Sequence, residues 1–241
     1  MNKILTVCCA SGLIVILTLC TVTTVDSATA FITALPARKQ LENWRENQRQ
    51  LDHVQWETIQ SEIDYALQST PDNPELLRDL GLSHEAEFIL SPASYPEARR
   101  GRETAAEYYQ QAILLRPSWP YDRIALLLAL YRLNGGDQDI YSLMMQAVEL
   151  GPWEPRVQQV VAEIGLHDWD SLPENMKSLV LETVNNGIRH PDNTKDILAL
   201  LRRYNMPGLV CNRKYEVEQV VKFCEKYYKN SEQGITNRTE D

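Results

Sequence analysis

Glycine is scarce in this chain, ten residues in 241, and runs of alternating apolar and polar residues are few, so little in it favours a sheet. There is no glycine-rich loop of the kind that cradles phosphate and no Gly-x-Ser-x-Gly elbow, which leaves nucleotide binding and that class of hydrolase without a signature. The four histidines, His53, His84, His167 and His190, are scattered. His84-Glu85 lacks the second histidine that a zinc-binding helix needs, so no metal or cofactor site is assigned. Positive charge is short as well. Lys and Arg number 24 against 33 Asp and Glu, and a net charge of −9 excludes the basic field that a nucleic-acid backbone requires. Local basic runs such as Arg99-Arg100-Gly101-Arg102 read as solvated turns. With 44% hydrophobic residues the chain can still bury a substantial core, and the pattern is all-helical.

What the chain does have begins at its amino end. Residues 4–25 contain no charged side chain, and as a helix they reach about 33 Å, enough to cross a hydrocarbon core of about 30 Å. A cleaved signal has a shorter apolar stretch ahead of a small-x-small site. Ala28-Thr29-Ala30 offers such a site, so secretion after cleavage following Ala30 is the alternative to the uncleaved anchor that the length favours. A lipid-bearing Cys20 is set aside because bulky Leu19 precedes it. Charge asymmetry between Lys3 and Arg38-Lys39 is weak, so orientation rests on translocation of the long acidic remainder. The expected organisation is a membrane anchor or signal segment over 1–30, a helical domain over 31–229 and a flexible polar tail over 230–241. Both readings of the leader put the domain outside the cytoplasm, where oxidising chemistry is open to Cys211 and Cys224, the only cysteines beyond the leader. A helix expected over 214–228 sets Cys224 far along it, so a bridge needs Cys211 to fold back, and two separate buried thiols compete with that state.

The strongest internal signal is a joint that recurs three times. An alanine is followed five residues later by a proline and three residues after that by another: Ala66-Pro71-Pro74, Ala112-Pro117-Pro120 and Ala147-Pro152-Pro155. The small alanine lets two helices pass closely, the first proline stops the outgoing helix, and the second opens the next, where its missing N–H costs nothing. Seven and three residues upstream stand Ile59 and Ile63, Ala105 and Tyr109, Ile140 and Met144, one apolar face in each copy. Leu77, Leu80 and Gly81 fill the helix that follows the first joint. The copies lie 46 and 35 residues apart. This resembles a tetratricopeptide array, whose period is about 34 residues, over residues 56–164. The segment 91–102 reads as a loop inserted in the first full unit. Before it, residues 38–54, with Leu41, Trp44 and Leu51 at helical spacing, pair with 56–69 in an incomplete hairpin.

The resemblance implies a concave groove lined by the first helix of each hairpin. Counted from the joint prolines, its partner-binding residues are Glu75, Arg78 and Glu85, then Tyr121 and Tyr131, then Arg156, Gln159 and Glu163, with Leu82, Ile124 and Leu128 between them. Residues 124–130 are apolar nearly all round, so either another element of this chain or a partner's apolar segment covers them, and the terminal helices are the expected cover. Trp119, Tyr121 and Trp153 sit at the joints. They suit a platform for a sugar ring or for a partner's aromatic anchor, or else wedges between hairpins, and their place beside helix-starting prolines favours wedges. Asp168 and Asp170 are close in sequence, which establishes no separation across a glycosidic bond, so HDWDSLPE reads as a capping turn. Within it Ser171-Leu172-Pro173-Glu174 resembles a capping box. Helices are expected over 176–188 and 194–204, and Asn237-Arg238-Thr239 matches a glycosylation sequon that carries no assignment.

Three segments in order, LLRPSWPYDRIALLLALYRLNG, ELGPWEPRVQQVVAEIGLHDWDSLP and MPGLVC, lie behind a single amino-terminal hydrophobic stretch. Over residues 116–211, and most specifically in LGPWEP followed by VQ, the chain resembles the VpsP-type family of bacterial polysaccharide-biosynthesis proteins. The resemblance implies a non-catalytic accessory on the periplasmic face of the inner membrane, whose partners are protein components of a polysaccharide synthesis or export machinery. A polysaccharide-binding protein using the joint aromatics is the alternative, and a glycan-cleaving enzyme is a third, weaker reading.

Overall fold

Two compact units, Met1–Pro117 and Ser118–Asp241, divide the chain. The computed structural model describes all residues except 1, 48–51, 89–91, 93 and 237–241. Leu51, Ser91 and the Asn237 sequon therefore lie outside the described residues. Among those described, the protein is all-helical, with eleven helices and no strand. They are α1 (Asn2–Asn47), α2 (His53–Ser69), α3 (Pro74–Ala86), α4 (Pro96–Leu115), α5 (Pro120–Asn134), α6 (Gln138–Leu150), α7 (Pro155–His167), α8 (Glu174–Arg189), α9 (Thr194–Arg203), α10 (Gly208–Cys211) and α11 (Glu218–Thr236). Consecutive helices pack as pairs, α1 with α2, α3 with α4, α5 with α6 and α7 with α8.

All three joints form as their residues dictate. Pro74, Pro120 and Pro155 are the first residues of α3, α5 and α7. Each outgoing helix ends in the same bond, the N–H of Thr70, Arg116 and Gly151 donating to the carbonyl of Ala66, Ala112 and Ala147. The backbone angles of these capping residues agree closely, φ −140, −139 and −146°. The face upstream of each alanine is buried throughout, from Ile59 and Ile63 to Ala105 and Tyr109 to Ile140 and Met144.

In the first unit, α1 meets α2 and α3 along Ala30, Ala34, Ala37, Leu41 and Trp44, a narrow seam at helical spacing. Its alanines let α2 approach with Ile59, Ile63 and Ala66. Gly81 of α3 leaves room for the Tyr109 ring of α4, since a Cβ there would stand 3.0 Å from its Cδ1. Trp56 is fixed by its indole N–H donating to the Ser83 carbonyl at 2.8 Å. Two expectations are corrected here. Helix α1 does not restart near Arg38 but runs unbroken from the apolar segment through residue 30 to Asn47, with Pro36 inside it. Residues 96–102 are the first turns of α4 and not loop or solvated turn. Proline at N1 starts that helix without a lost bond, Gly101 lies where a Cβ would meet the His84 carbonyl at 2.8 Å, and Arg102 is buried, donating to the Phe88 carbonyl at 3.2 Å.

In the second unit the core joins Ile124 and Leu127 of α5 to Val157, Val160, Val161 and Ile164 of α7, Val180 and Val184 of α8, and Ile197 and Leu201 of α9. The apolar run of α5 packs with α6 and α7, while the last helix lies on α9. Four further expectations change. The capping box before α8 does not form: Pro173 is the N-cap, with no side-chain bond, and Ser171 donates instead to the Asp168 carbonyl at 2.8 Å. The last helix starts at Glu218, four residues after Lys214, and it continues through the polar segment 230–236 expected to be a flexible tail. The late start frees residues 212–217 to fold back, so Cys211 and Cys224 meet in a disulfide, with Cα atoms 5.3 Å apart, rather than as separate thiols. Tyr228 reinforces the closure by donating to the Cys211 carbonyl at 2.8 Å.

Candidate functional site

The residues expected to line one groove fall in different units, three in the first and five in the second, and they are largely engaged with partners inside the chain. In the first unit Glu75 lies between two guanidiniums, Arg38 at 2.7 Å and Arg116 at 3.5 Å, so it ties α1 and the end of α4 to the start of α3. Arg38 also lies 2.7 Å from the buried Asp79 carboxylate, which Arg78 approaches at 3.5 Å. Burial pushes the Asp79 carboxyl up, against the pull of Arg78 and Arg38. At Glu75 burial also pushes upward, but Arg38, Arg78 and Arg116 outweigh it and the carboxyl sits below its ordinary range. Glu85 is buried and accepts the Tyr109 hydroxyl at 2.8 Å.

The second unit repeats the pattern. Tyr121 donates to Glu154, and burial followed by the Glu154 bond pushes its hydroxyl up to about 12. Gln159 donates to Asn193 at 2.8 Å and to Asp196 at 3.0 Å, and Asn193, wholly buried, donates to Gln158 at 2.7 Å. That network fastens the loop before α9 to α7. Glu163 pairs with Arg203 at 2.9 Å, and Arg156 is exposed.

The joint aromatics behave differently. Trp119 and Trp153 are 42% and 61% exposed, so neither is a buried wedge between hairpins. They are brought to one end of the second unit by the Tyr121–Glu154 bond and by Pro120, which packs where a Cβ on Gly151 would stand 3.0 Å away. The Trp119 and Tyr121 ring centres are 5.5 Å apart, and Leu150, exposed at the end of α6, adds to the same apolar end.

One cluster has no counterpart in the sequence reading. A single carboxylate oxygen of Asp168 accepts the Tyr131 hydroxyl at 2.9 Å and lies 2.6 Å from His167 Nδ1, with the Tyr204 ring edge-on to the imidazole. Burial, then the Asp168 bond, pushes the Tyr131 hydroxyl up. The adjacency of His167 and Asp168 at the end of α7 was the one visible hint. An oriented His–Asp pair is half of a nucleophilic site, but among the described residues no serine, threonine or cysteine side chain bonds to His167. Among the same residues no three His, Cys, Asp or Glu side chains converge as metal ligands would. The open depressions among the described residues include one of about 410 Å³ beside α8 around Asn185, Arg189 and Arg213, and one of about 500 Å³ between α1 and the α2–α3 joint.

No protein-family model matches the chain, and no curated protein does. Its α1 is the one described helix long and apolar enough to cross a membrane, as a span or a signal anchor. Its second unit exposes a tryptophan-bearing end.

Proposed function

We propose that this protein is a membrane-anchored, non-catalytic interaction protein built as a tetratricopeptide-like array, serving the synthesis or export of a bacterial extracellular polysaccharide. The exposed apolar end of the second unit, with Trp119, Leu150 and Trp153, is the observation that carries it. Exposed tryptophans clustered around a rigid joint are the residue class that dominates binding energy at protein interfaces. The groove residues are committed to internal bonds, so in this reading a partner docks on the joint end instead. The repeated joint geometry supports the array, the three resembling segments support the polysaccharide role, and continuity of α1 with the core of the first unit supports an uncleaved anchor. The Cys211–Cys224 bridge suits an oxidising compartment, and this supports a reading in which the helical units face the periplasm beyond the inner membrane. Crosslinking in native membranes tests this. Capture of a membrane synthase or export component that is lost in Trp153→Ala supports it, whereas capture unaffected by that variant refutes docking at this end.

A second reading is favoured by one specific observation, the nearness of the Trp119 and Tyr121 rings beside an exposed Trp153. Such a set stacks on sugar rings. Binding of purified polysaccharide to the full-length protein, lost in Trp119→Ala, would replace protein docking with glycan recognition. Release of reducing ends from the polymer would overturn the non-catalytic assignment altogether.

A further inference from the structure

The first unit exposes apolar side chains at the end from which α1 leaves it. Leu114 and Leu115, the last residues of α4, are 81% and 43% exposed. The adjoining Arg116 pairs with Glu75 at the start of α3, so this tip of α4 lies beside the α2–α3 joint. Residues 69–74 of that joint border a depression with Thr23, Asp26 and Ser27 of α1, where the charge-free stretch ends. Tyr65, one turn before the end of α2, is 60% exposed at the same end, and Phe31 and Ile32 continue the bare apolar face of α1 into this level. Three helices thus present exposed leucine, isoleucine and aromatic side chains around the exit of one apolar helix.

The geometry points to a second membrane contact: the α1-exit end of the first unit rests on the bilayer interface, with Leu114 and Leu115 inserted among the lipids beside the span. This deepens the proposed anchoring and rests on α1 being a span. If residues 4–25 occupy the hydrocarbon core, the joint and the tip of α4 come within the headgroup layer, where tyrosine and apolar side chains are favoured. Asp26 and Asp72 lie at the same end, so attraction to anionic headgroups is not the source of the contact. It is apolar, and it suits a zwitterionic surface. Single exposed leucines are ordinary, but apolar side chains gathered from three helices into one patch mark an interaction or membrane surface. The consequence is orientation: a helix continuous with the unit, together with a lipid-seated tip, fixes the tilt of the first unit and does not leave it swinging on a tether.

The test uses the full chain with Cys8, Cys9 and Cys20 changed to alanine, carrying a single environment-sensitive fluorophore on a new cysteine and reconstituted in phosphatidylcholine nanodiscs with or without bromine on the acyl chains. Three positions are compared. Leu19→Cys reports the span, Leu114→Cys reports the contact, and Val54→Cys, 71% exposed at the far end of α2, is the aqueous reference. The contact requires bromolipid to quench positions 19 and 114 several-fold more than position 54, with iodide in the buffer giving the opposite order for 114 and 54. Quenching at 19 with position 114 no different from 54 overturns the contact and leaves the span standing. No quenching at 19 overturns the span, and the contact falls with it.

Discussion

Replacing Cys224 by serine removes the bridge that ties α10 to α11, and its cost can be worked from the chain it closes. The bridged residues are 13 apart in sequence. Releasing a loop of that size returns to the unfolded chain an entropy worth about 3 kcal/mol at room temperature. In a unit of this size each kcal/mol moves the midpoint by roughly 3–5 °C, so the variant should melt about 10 °C below the oxidised protein. The serine hydroxyl fits the small space left by the sulfur, which keeps a cavity contribution low. Melting followed by tryptophan fluorescence, with Trp119, Trp153 and Trp169 in the second unit, reads the shift. Reductant should bring the wild type down to the variant and leave the variant unmoved. Thiol titration of unfolded protein should give three groups before reduction and five after, from five cysteines with two bridged. Equal midpoints for variant and oxidised wild type would refute the loop-closure reasoning, and five thiols before reduction in protein taken from an oxidising compartment would refute the bridge.

Arg38→Ala strips partners from both Glu75 and the buried Asp79. The loss should be about 2 kcal/mol, below the ~3–5 of a fully buried pair because Glu75 is part-exposed. Urea unfolding measures it, and Asp79→Asn in the same background should recover part of it, since the desolvated charge is then gone. Gly165→Ala places a Cβ on α7 that would stand 2.8 Å from Val180 Cγ1 and 3.0 Å from its Cβ. Overpacking of about 1–3 kcal/mol should exceed the helix-propensity gain of about 0.5–1, so the same assay should show net destabilisation. Tyr121 has its hydroxyl raised to about 12 from a reference of 10.0. A raised folded value means that its contribution is complete below pH 10 and is lost as pH rises through 12, so the alkaline tyrosinate absorbance titration should lose its step near 12 in Tyr121→Phe while titration below 10 is unchanged.

The legible parts of the fold were those fixed by local chemistry. A proline at N1 and another past the helix end act on their own backbone, so α3, α5 and α7 begin where the sequence says they do. Periodicity likewise identified the buried faces at Ile59, Ala105 and Ile140. Prolines and arginines misled at 96–102 because a Pro-Glu-Ala start is as compatible with a helix as with a loop. There Gly101 and Arg102 are explained only by what α3 and the turn that follows it bring against them. The same holds for the sites. Trp119 and Trp153 were visible as residues, but their exposure depends on where neighbouring joints end. In the Tyr131–Asp168–His167 cluster only the adjacent His167 and Asp168 are legible as neighbours, while Tyr131 reaches them from more than thirty positions away, where no linear spacing is a signal.

Sequence alone determined that this chain is helical, that three of its turns share one design, that its amino end is apolar enough to span a membrane, and that no strong local signature of nucleotide, metal or nucleic-acid binding is present. These follow from propensity, from proline's missing N–H and from transfer energetics, which act within a few residues. Tertiary structure decided that the apolar helix continues into the core of the first unit, that Cys211 reaches Cys224, and that expected groove residues become internal ties while the joint tryptophans stay exposed. Those outcomes depend on which distant side chains pack together, and burial and charge pairing are settled only when the helices have met.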